Sequence, residues 1–369
     1  MEEATTYKLG DISTMKYGKL PPKYINEGNY PIWSGYRYVG KCNEFNCNKG
    51  DIIIVARGVG GTGDVKIAKE DCYLTNLSIQ VKLDKNICQP EYFYYSYLLS
   101  NLKYLDSGSA QSQITIEDLK RLEVTLPPLE QQHKITDILK SIDEKIELNR
   151  QINDNLEQQA QNIFNHYFID NPIELGSYSE GVLTDIAVYL NGLAMQKFRP
   201  EGSDFGLPVL KIKELGQRSC DNNSDRCSSL IKEEYIVNDG DVIFSWSGTL
   251  LVDLWCGGKC GLNQHLFKVT SDTYPKWFYY FWTKHHLDNF IRVAKDKAVT
   301  MGHIKRTELE KANIIVPTQD KLSEINRIMS PIITKIINHR IEMRKLAQLR
   351  DSLLPQLMSG ELKINEIDC

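Results

Sequence analysis

The chain of 369 residues contains little that would place it in or across a membrane. No run of about 18 uncharged apolar residues occurs, so no segment is expected to span a bilayer as a helix. The first residues, MEEATT, are acidic, whereas a secretory signal begins with basic and then apolar residues. We therefore expect a cytoplasmic protein with no membrane partner.

Recognisable catalytic motifs are also missing. The sequence has no G-x-x-x-x-G-K-[ST] phosphate loop, no H-E-x-x-H or G-x-S-x-G motif, and no Asn/Asp-Pro-Pro-aromatic segment typical of amino-methyltransferases. The formal net charge of −4 argues against a protein that coats nucleic acid non-specifically, since that requires a basic surface. Nine cysteines show no repeated spacing and are expected to be reduced thiols. We predict a protein that is not an enzyme and needs no cofactor.

What the chain does contain is a two-fold internal repeat. An offset of about 190 residues aligns 48–54 with 238–244, each a turn followed by apolar residues typical of a strand. The same offset aligns 114–168 with 304–358 without insertions. Each copy is interpreted as a mixed α/β domain followed by a long helix.

Each copy ends in a stretch whose apolar residues lie three and four positions apart, which predicts an amphipathic helix. About 35 to 40 residues at 1.5 Å rise make a rod of about 50 to 60 Å, longer than a small domain is wide. We expect the two apolar stripes to bury each other in an antiparallel pair, while two separate helices packed on their own domains stay an alternative. The stripes are Ile135, Leu139, Ile142, Ile146, Ile152, Leu156, Ile163 and Tyr167, then Ile325, Met329, Ile332, Ile336, Met343, Leu346, Leu353 and Leu357.

The predicted fold is therefore mixed α/β, with two similar domains joined by two long antiparallel helices in a pseudo-two-fold internal repeat. The expected divisions are a first domain over 1–128, a central helix over 129–170, a second domain over 171–317, and a distal helix with a C-terminal tail over 318–369. Two similar but non-identical domains on a stiff spacer could recognise two different sites at a fixed separation.

Three stretches resemble the specificity subunits of type I restriction-modification systems. They are GSAQSQI at 108–114 with LPPLEQQ at 126–132, SIDEKIELN at 141–149, and LLPQLMSGEL at 353–362. The second copy departs from the pattern with PTQDK at 317–321. The resemblance implies two target recognition domains without catalysis, each reading one half of a bipartite, asymmetric site in double-stranded DNA. It also implies two methyltransferase subunits bound along the helices, and restriction and translocase subunits bound through them.

Basic and polar residues in the predicted loops of both copies, together with the first copy's glycine-rich loop, are candidate DNA contacts. Any one of the charged residues is more often a solvated surface charge, but a set distributed over both copies is typical of phosphate and base contacts. For the segment at 111–113, helix capping alone by Thr115 and Asp118 is the competing interpretation. The candidates are Arg37, Arg57, Gly60, Gln111, Ser112, Gln113, Lys197, Arg199, Lys211, Lys213, Lys295, Lys297, Thr300 and His303.

Two motifs invite other chemistry. The loop at 58–63 contains G-x-G-x-x-G, but residues 64–69 alternate like a strand and do not open a helix, so a hairpin loop is favoured over a dinucleotide site. Cys256 and Cys260 with His265 suggest zinc, but no second cysteine pair has a suitable spacing, so no metal site is expected. The rival functional hypothesis is a helical scaffold whose duplicated domains bind protein partners and never touch DNA.

Overall fold

The computed structural model describes residues 4–20, 22–23, 27–58, 61–106, 112–296 and 303–362. The chain forms two compact units, which we call unit 1 (residues 1–144 and 347–369) and unit 2 (residues 145–346). Each unit therefore includes part of both long helices.

Unit 1 is built around three small sheets. The largest has the strand order β2-β8-β5-β6 and is antiparallel throughout, and its strand β5 is buried along its length, as its unbroken IIIV sequence requires. The others are β4-β3-β7, in which β3 and β7 are parallel, and the ribbon β1-β9. The elements are β1 Thr5–Lys8, β2 Ser13–Tyr17, β3 Tyr30–Ser34, β4 Arg37–Cys42, β5 Ile52–Val55, β6 Val65–Ile67, β7 Tyr73–Leu74, β8 Ser78–Leu83, α1 Pro90–Ser96, α2 Ile116–Lys120, β9 Glu123–Leu126 and α3 Leu129–Asn165.

Unit 2 repeats this arrangement, which confirms the internal repeat as a structural one. Its sheet β11-β18-β15-β16 matches β2-β8-β5-β6, and its sheet β13-β12-β17-β14 again contains one parallel pair, β12 with β17. The ribbon β10-β19 matches β1-β9. The elements are β10 Tyr178–Val182, α4 Leu183–Ile186, β11 Val188–Asn191, β12 Leu207–Leu210, α5 Ile212–Gln217, β13 Arg226–Cys227, β14 Ile236–Val237, β15 Val242–Ser245, β16 Leu251–Leu254, β17 Cys260–Leu262, β18 Leu266–Thr270, α6 Lys276–His285, α7 Leu287–Asp296, α8 Arg306–Leu309, β19 Asn313–Pro317 and α9 Gln319–Ser359.

The ends of the long helices are buried in the cores of the units. In unit 1, Ile135 and Leu139 of α3 and Leu354 and Leu357 of α9 pack in one core with the sheet strands. In unit 2, the other part of α3 contributes Phe164, which stacks on Phe168 and Phe281 and meets Trp282 edge to face. The apolar residues at the ends of the long helices are therefore buried against the sheets and against α6.

The two helices also contact each other directly, and the pairing is antiparallel. In unit 1, Arg350 donates to Asp143 at 2.7 Å. In unit 2, Asn149 donates to Glu342 at 2.9 Å, and Asn153 donates to the Ile336 carbonyl at 3.1 Å. Successive residues along α3 thus pair with residues that lie progressively closer to the N-terminus of α9.

The helix contact differs from the sequence expectation in its chemistry. Apolar burial was expected along the whole stripe, yet Asn149 and Asn153 are buried at the contact while Ile146, Ile152 and Leu156 are only half-buried. The register is set by directional hydrogen bonds, a role that single polar groups play in other helix pairs. No helix among the described residues is long and apolar enough to cross a membrane.

Candidate nucleic-acid interface

Two predicted contact residues of unit 1, distant in sequence, lie side by side. Arg57, just after β5, forms an antiparallel bridge with Gln113, and the Ile114 amide donates to the Ala56 carbonyl at 3.0 Å. Thr115 and Asp118 cap α2 reciprocally, which fixes the segment that carries Gln113. Thr115 and Asp118 therefore cap α2, and Gln113 just before them also lies beside Arg57.

Arg37 packs on the aromatic ring of Tyr36, which lies beside Gly61 in the loop that follows Arg57. The Arg37 Nε donates to the Tyr36 hydroxyl at 2.9 Å, its guanidinium lies 5.1 Å from that ring's centroid, and the Lys66 Nζ lies 5.9 Å from it. The ring also covers Gly61, where an added Cβ would come within 2.7 Å of the ring. Glycine at 61 thus lets an aromatic ring and two cations gather beside the loop.

The loop itself is a hairpin loop, as the sequence indicates. Strand β6 follows it and pairs antiparallel with β5 from Ile52 with Ile67 to Ile54 with Val65. A dinucleotide-binding loop would instead open a helix whose N-terminus receives the phosphates.

Ser112 has a local role that the sequence did not indicate. Its hydroxyl donates to Asp106 at 2.5 Å, and the Gln113 amide donates to the same carboxylate at 2.9 Å. Asp106 therefore anchors the segment, while the side chain of Gln113 is half-exposed.

Unit 2 forms the same bridge with different chemistry. Ser247 pairs with His303, and the Ile304 amide donates to the Trp246 carbonyl at 3.0 Å. The Ser247 hydroxyl lies 3.1 Å from His303 Nδ1, and the Trp246 indole donates to Asn191 at 2.9 Å. Ser247 and His303 thus stand where unit 1 has Arg57 and Gln113, and the Trp246 ring lies 5.8 Å from the His303 ring, centroid to centroid.

Three of the predicted lysines and arginines of unit 2 line two adjoining clefts, which we call the paired clefts, each of about 420 Å³. Arg199 and Lys211 line one, and Lys211 and Lys213 line the other. The Lys211 ammonium pairs with Asp225, and its hydrogen bond lowers the pKa of that carboxyl. Because both side chains are largely exposed, such a pair is worth at most about 1 kcal/mol and can be exchanged for a DNA phosphate.

Two further predicted lysines of unit 2 are not brought to the paired clefts. Lys197 lies in the short helical turn Met195–Lys197 and Lys295 in the last turn of α7, both exposed, and neither lines the paired clefts. Gly60, Gln111, Lys297 and Thr300 lie outside the described residues.

Sequence reasoning missed several polar residues of these clefts. Besides the cations, they are lined by Gln196, Asn263, Gln264 and His265. The available signal was the polar triplet that directly follows the apolar strand β17.

The cysteine motif forms no evident metal centre. The described residues contain no group of three or more side chains placed to hold a metal ion. Cys256 is buried, and burial raises the pKa of its thiol to about 11.

Comparison with known proteins identifies the architecture. The family model described as type I restriction modification DNA specificity domain matches residues 1–158 and 180–346. The chain is 27% identical to the type I restriction enzyme MjaIX specificity subunit of Methanocaldococcus jannaschii, over 93% of this chain and 84% of that protein. It is 22% identical to the HindI specificity subunit of Haemophilus influenzae, over 79% and 82%.

A solved structure shares the fold along nearly the whole length. The crystal structure of a type I restriction-modification system S subunit from M. genitalium superposes with a TM-score of 0.65 at 17% identity, covering 96% of each chain. Both copies of the repeat fall within the matched family model. The chain therefore belongs to the family of type I restriction-modification DNA specificity subunits.

Proposed function

We propose that this DNA specificity subunit reads a bipartite, asymmetric site in double-stranded DNA without catalysing a reaction itself. Residues 1–128 would form the first target recognition domain and residues 171–317 the second. The helical segments 129–170 and 318–369 would hold the two domains at the spacing of the half-sites.

One observation carries this proposal. The Arg57–Gln113 and Ser247–His303 bridges occupy the same position in the two copies and bear different side chains. A shared backbone frame with different polar groups is what two readers of unlike half-sites need, because base edges are distinguished by their donor and acceptor patterns.

The proposed protein partners are two methyltransferase subunits and, through them, restriction and translocase subunits. A duplicated scaffold offers two equivalent surfaces, so one partner type should bind twice. This partner assignment follows from membership of the family and from the repeat.

The function is tested by assembling the full chain with its cognate methyltransferase and sequencing the methylated positions in a randomised DNA library. We expect methylation at one motif made of two different half-sites with a fixed spacer. Methylation that is random, or that is unchanged without the chain, would favour the scaffold hypothesis.

Single arginines should affect one half-site each. We expect Arg57→Ala to weaken binding or base preference in the first half-site by about 1–3 kcal/mol, and Arg199→Ala to do so in the second. Lys85→Ala is the control, because this exposed lysine follows the C-terminal end of β8, whereas Arg57 lies at the other end, where its amide donates to the Leu77 carbonyl at 3.2 Å. Competition binding against single-base variants of each half-site measures the effect, and an equal loss at both half-sites would contradict the division of labour.

A further inference from the structure

A tight turn is built identically in the two units. In unit 1 it spans 75–78, where the Ser78 amide donates to the Thr75 carbonyl at 3.1 Å. In unit 2 it spans 263–266, where the Leu266 amide donates to the Asn263 carbonyl at 3.0 Å. Both turns follow the strand that pairs in parallel, β7 or β17.

Each turn is locked against a glycine. The Gly18 amide donates to Ser78 at 2.9 Å, and the Gly192 amide donates to Leu266 at 3.0 Å. A Cβ at Gly18 would lie 2.1 Å from the Thr75 carbonyl oxygen, and one at Gly192 would lie 2.2 Å from that of Asn263. The same close approach therefore fixes both turns.

Each turn is also tied to the bridge described above. The Ala56 amide donates to the Leu77 carbonyl at 2.8 Å, and the Trp246 amide to the His265 carbonyl at 3.4 Å. The turns thus lie next to Arg57 in unit 1 and next to Ser247 in unit 2.

The two central residues of the turn differ between the copies. They are Asn76 and Leu77 in unit 1 and Gln264 and His265 in unit 2, all half-buried. Gln264 lines one of the paired clefts with Lys211 and Lys213, and its Nε2 lies 3.3 Å from His265 Nε2. The other imidazole nitrogen, Nδ1, is buried with no hydrogen-bond partner among the described residues.

The groups around Gln264 are suited to binding the edge of a nucleobase. The flanking cations Arg199, Lys211 and Lys213 can receive phosphates, which position the duplex, while an amide can specify a base. A glutamine amide offers a donor and an acceptor, which match the N7 acceptor and N6 donor of adenine in the major groove.

We propose that Gln264 is a base-reading residue of the second recognition domain and contacts the major-groove edge of one base, with adenine preferred. Asn76 occupies the matching position in the first domain. The inference rests on the proposed function and adds the residue that reads a particular base.

The test uses the assembled complex of the full chain with its methyltransferase and a randomised duplex library, with the base preference at every position read by sequencing. Gln264→Ala should lower the preference at one position of the second half-site by roughly 10- to 100-fold and leave the first half-site unchanged. Asn76→Ala should do the converse. Gln217→Ala is the matched control, because this exposed glutamine at the end of α5 lines neither cleft.

A second variant of Gln264 should change which base is preferred, whereas the alanine variant only weakens the preference. Gln264→Glu retains only acceptors, so the preferred base should move from adenine towards cytosine, whose N4 group is a donor. Unchanged preference at every position in both Gln264 variants would overturn the inference. Loss of all methylation by both variants would also contradict it, because a residue that reads one base should redirect the complex. A wild-type complex without a bipartite motif would instead defeat the proposed function.

Discussion

Replacing Arg340 by methionine is expected to lower the free energy of unfolding of unit 2 by about 3–5 kcal/mol. The Arg340 guanidinium is buried and joins α9 both to the sheet and to α3. Its Nη1 donates to Asp253 at 2.8 Å and to the Leu254 carbonyl at 2.9 Å, and its Nη2 donates to Glu157 at 2.7 Å.

The expected loss is large because Asp253 would stay behind in the core. Its side chain is only 8% exposed, and in the described part of the chain the ion-pair partner that remains after the substitution is Arg218, whose Nε lies 2.6 Å away. Removing the buried member of an ion pair is costly, because the Asp253 charge that stays in the core is then compensated only by Arg218, whose side chain is 57% exposed.

The repeat supplies a matched control for this substitution. Arg150 stands at the position of Arg340 in the first copy, but it is 55% exposed and pairs with Glu147 and Asp154 on its own helix. Arg150→Met should cost only about 0.3–1 kcal/mol. Urea unfolding followed by tryptophan fluorescence suits the comparison, because four of the five tryptophans lie in unit 2. Equal effects of the two substitutions would show that Arg340 is not a buried link.

Gly192→Ala is expected to destabilise unit 2 by about 2–3 kcal/mol, at the upper end of the range for overpacking. The new methyl group would meet the carbonyl oxygens of Asn263 and Leu262 at 2.2 and 2.4 Å. These are backbone atoms held in a parallel bridge, so the two segments must separate and the Leu193 amide must lengthen its 3.0 Å bond to Leu262.

Gly216→Ala is the control for this prediction. Apart from its chain neighbours and the backbone of α5, no atom of the described residues lies within 4 Å of a Cβ built at Gly216, which is in helix α5. Alanine should therefore stabilise that helix by about 0.5–1 kcal/mol. The same fluorescence-detected unfolding measures both variants. A Gly192→Ala protein as stable as the wild type would mean that the turn at 263–266 is not locked by close approach.

The sequence predicts the architecture well because the repeat and the helical spacing are local patterns. Residues 48–54 and 238–244 both lead into the buried strands β5 and β15, as expected. The offset of about 190 residues also places Gln113 and His303 at equivalent bridges. Periodicity and spacing carry this information without knowledge of distant contacts.

The polar middle of the helix pair could not be predicted in the same way. Asn149 and Asn153 look like residues of a solvated helix face, and their burial depends on Glu342, His339 and the Ile336 carbonyl of the other helix. Only the register of the pair brings those groups together.

The candidate interface was predicted in part for a related reason. Charged residues such as Arg199 and Lys211 are conspicuous in a loop, so they were identified. Asn263 and Gln264 were not identified, and His265 was considered only for zinc, because the parallel bridge between Leu193 and Asn263 is what brings their turn next to the segment that carries Gln196.

The most direct test of the central claim, two separate readers on one helical frame, is an exchange of one recognition domain. Residues 171–317 are replaced by the corresponding domain of a related specificity subunit that recognises a different DNA sequence, and the methylated motif of the assembled complex is sequenced. We predict that the second half-site changes to that of the donor while the first half-site and the spacer length stay the same. A motif in which both halves change, or neither does, would contradict the claim.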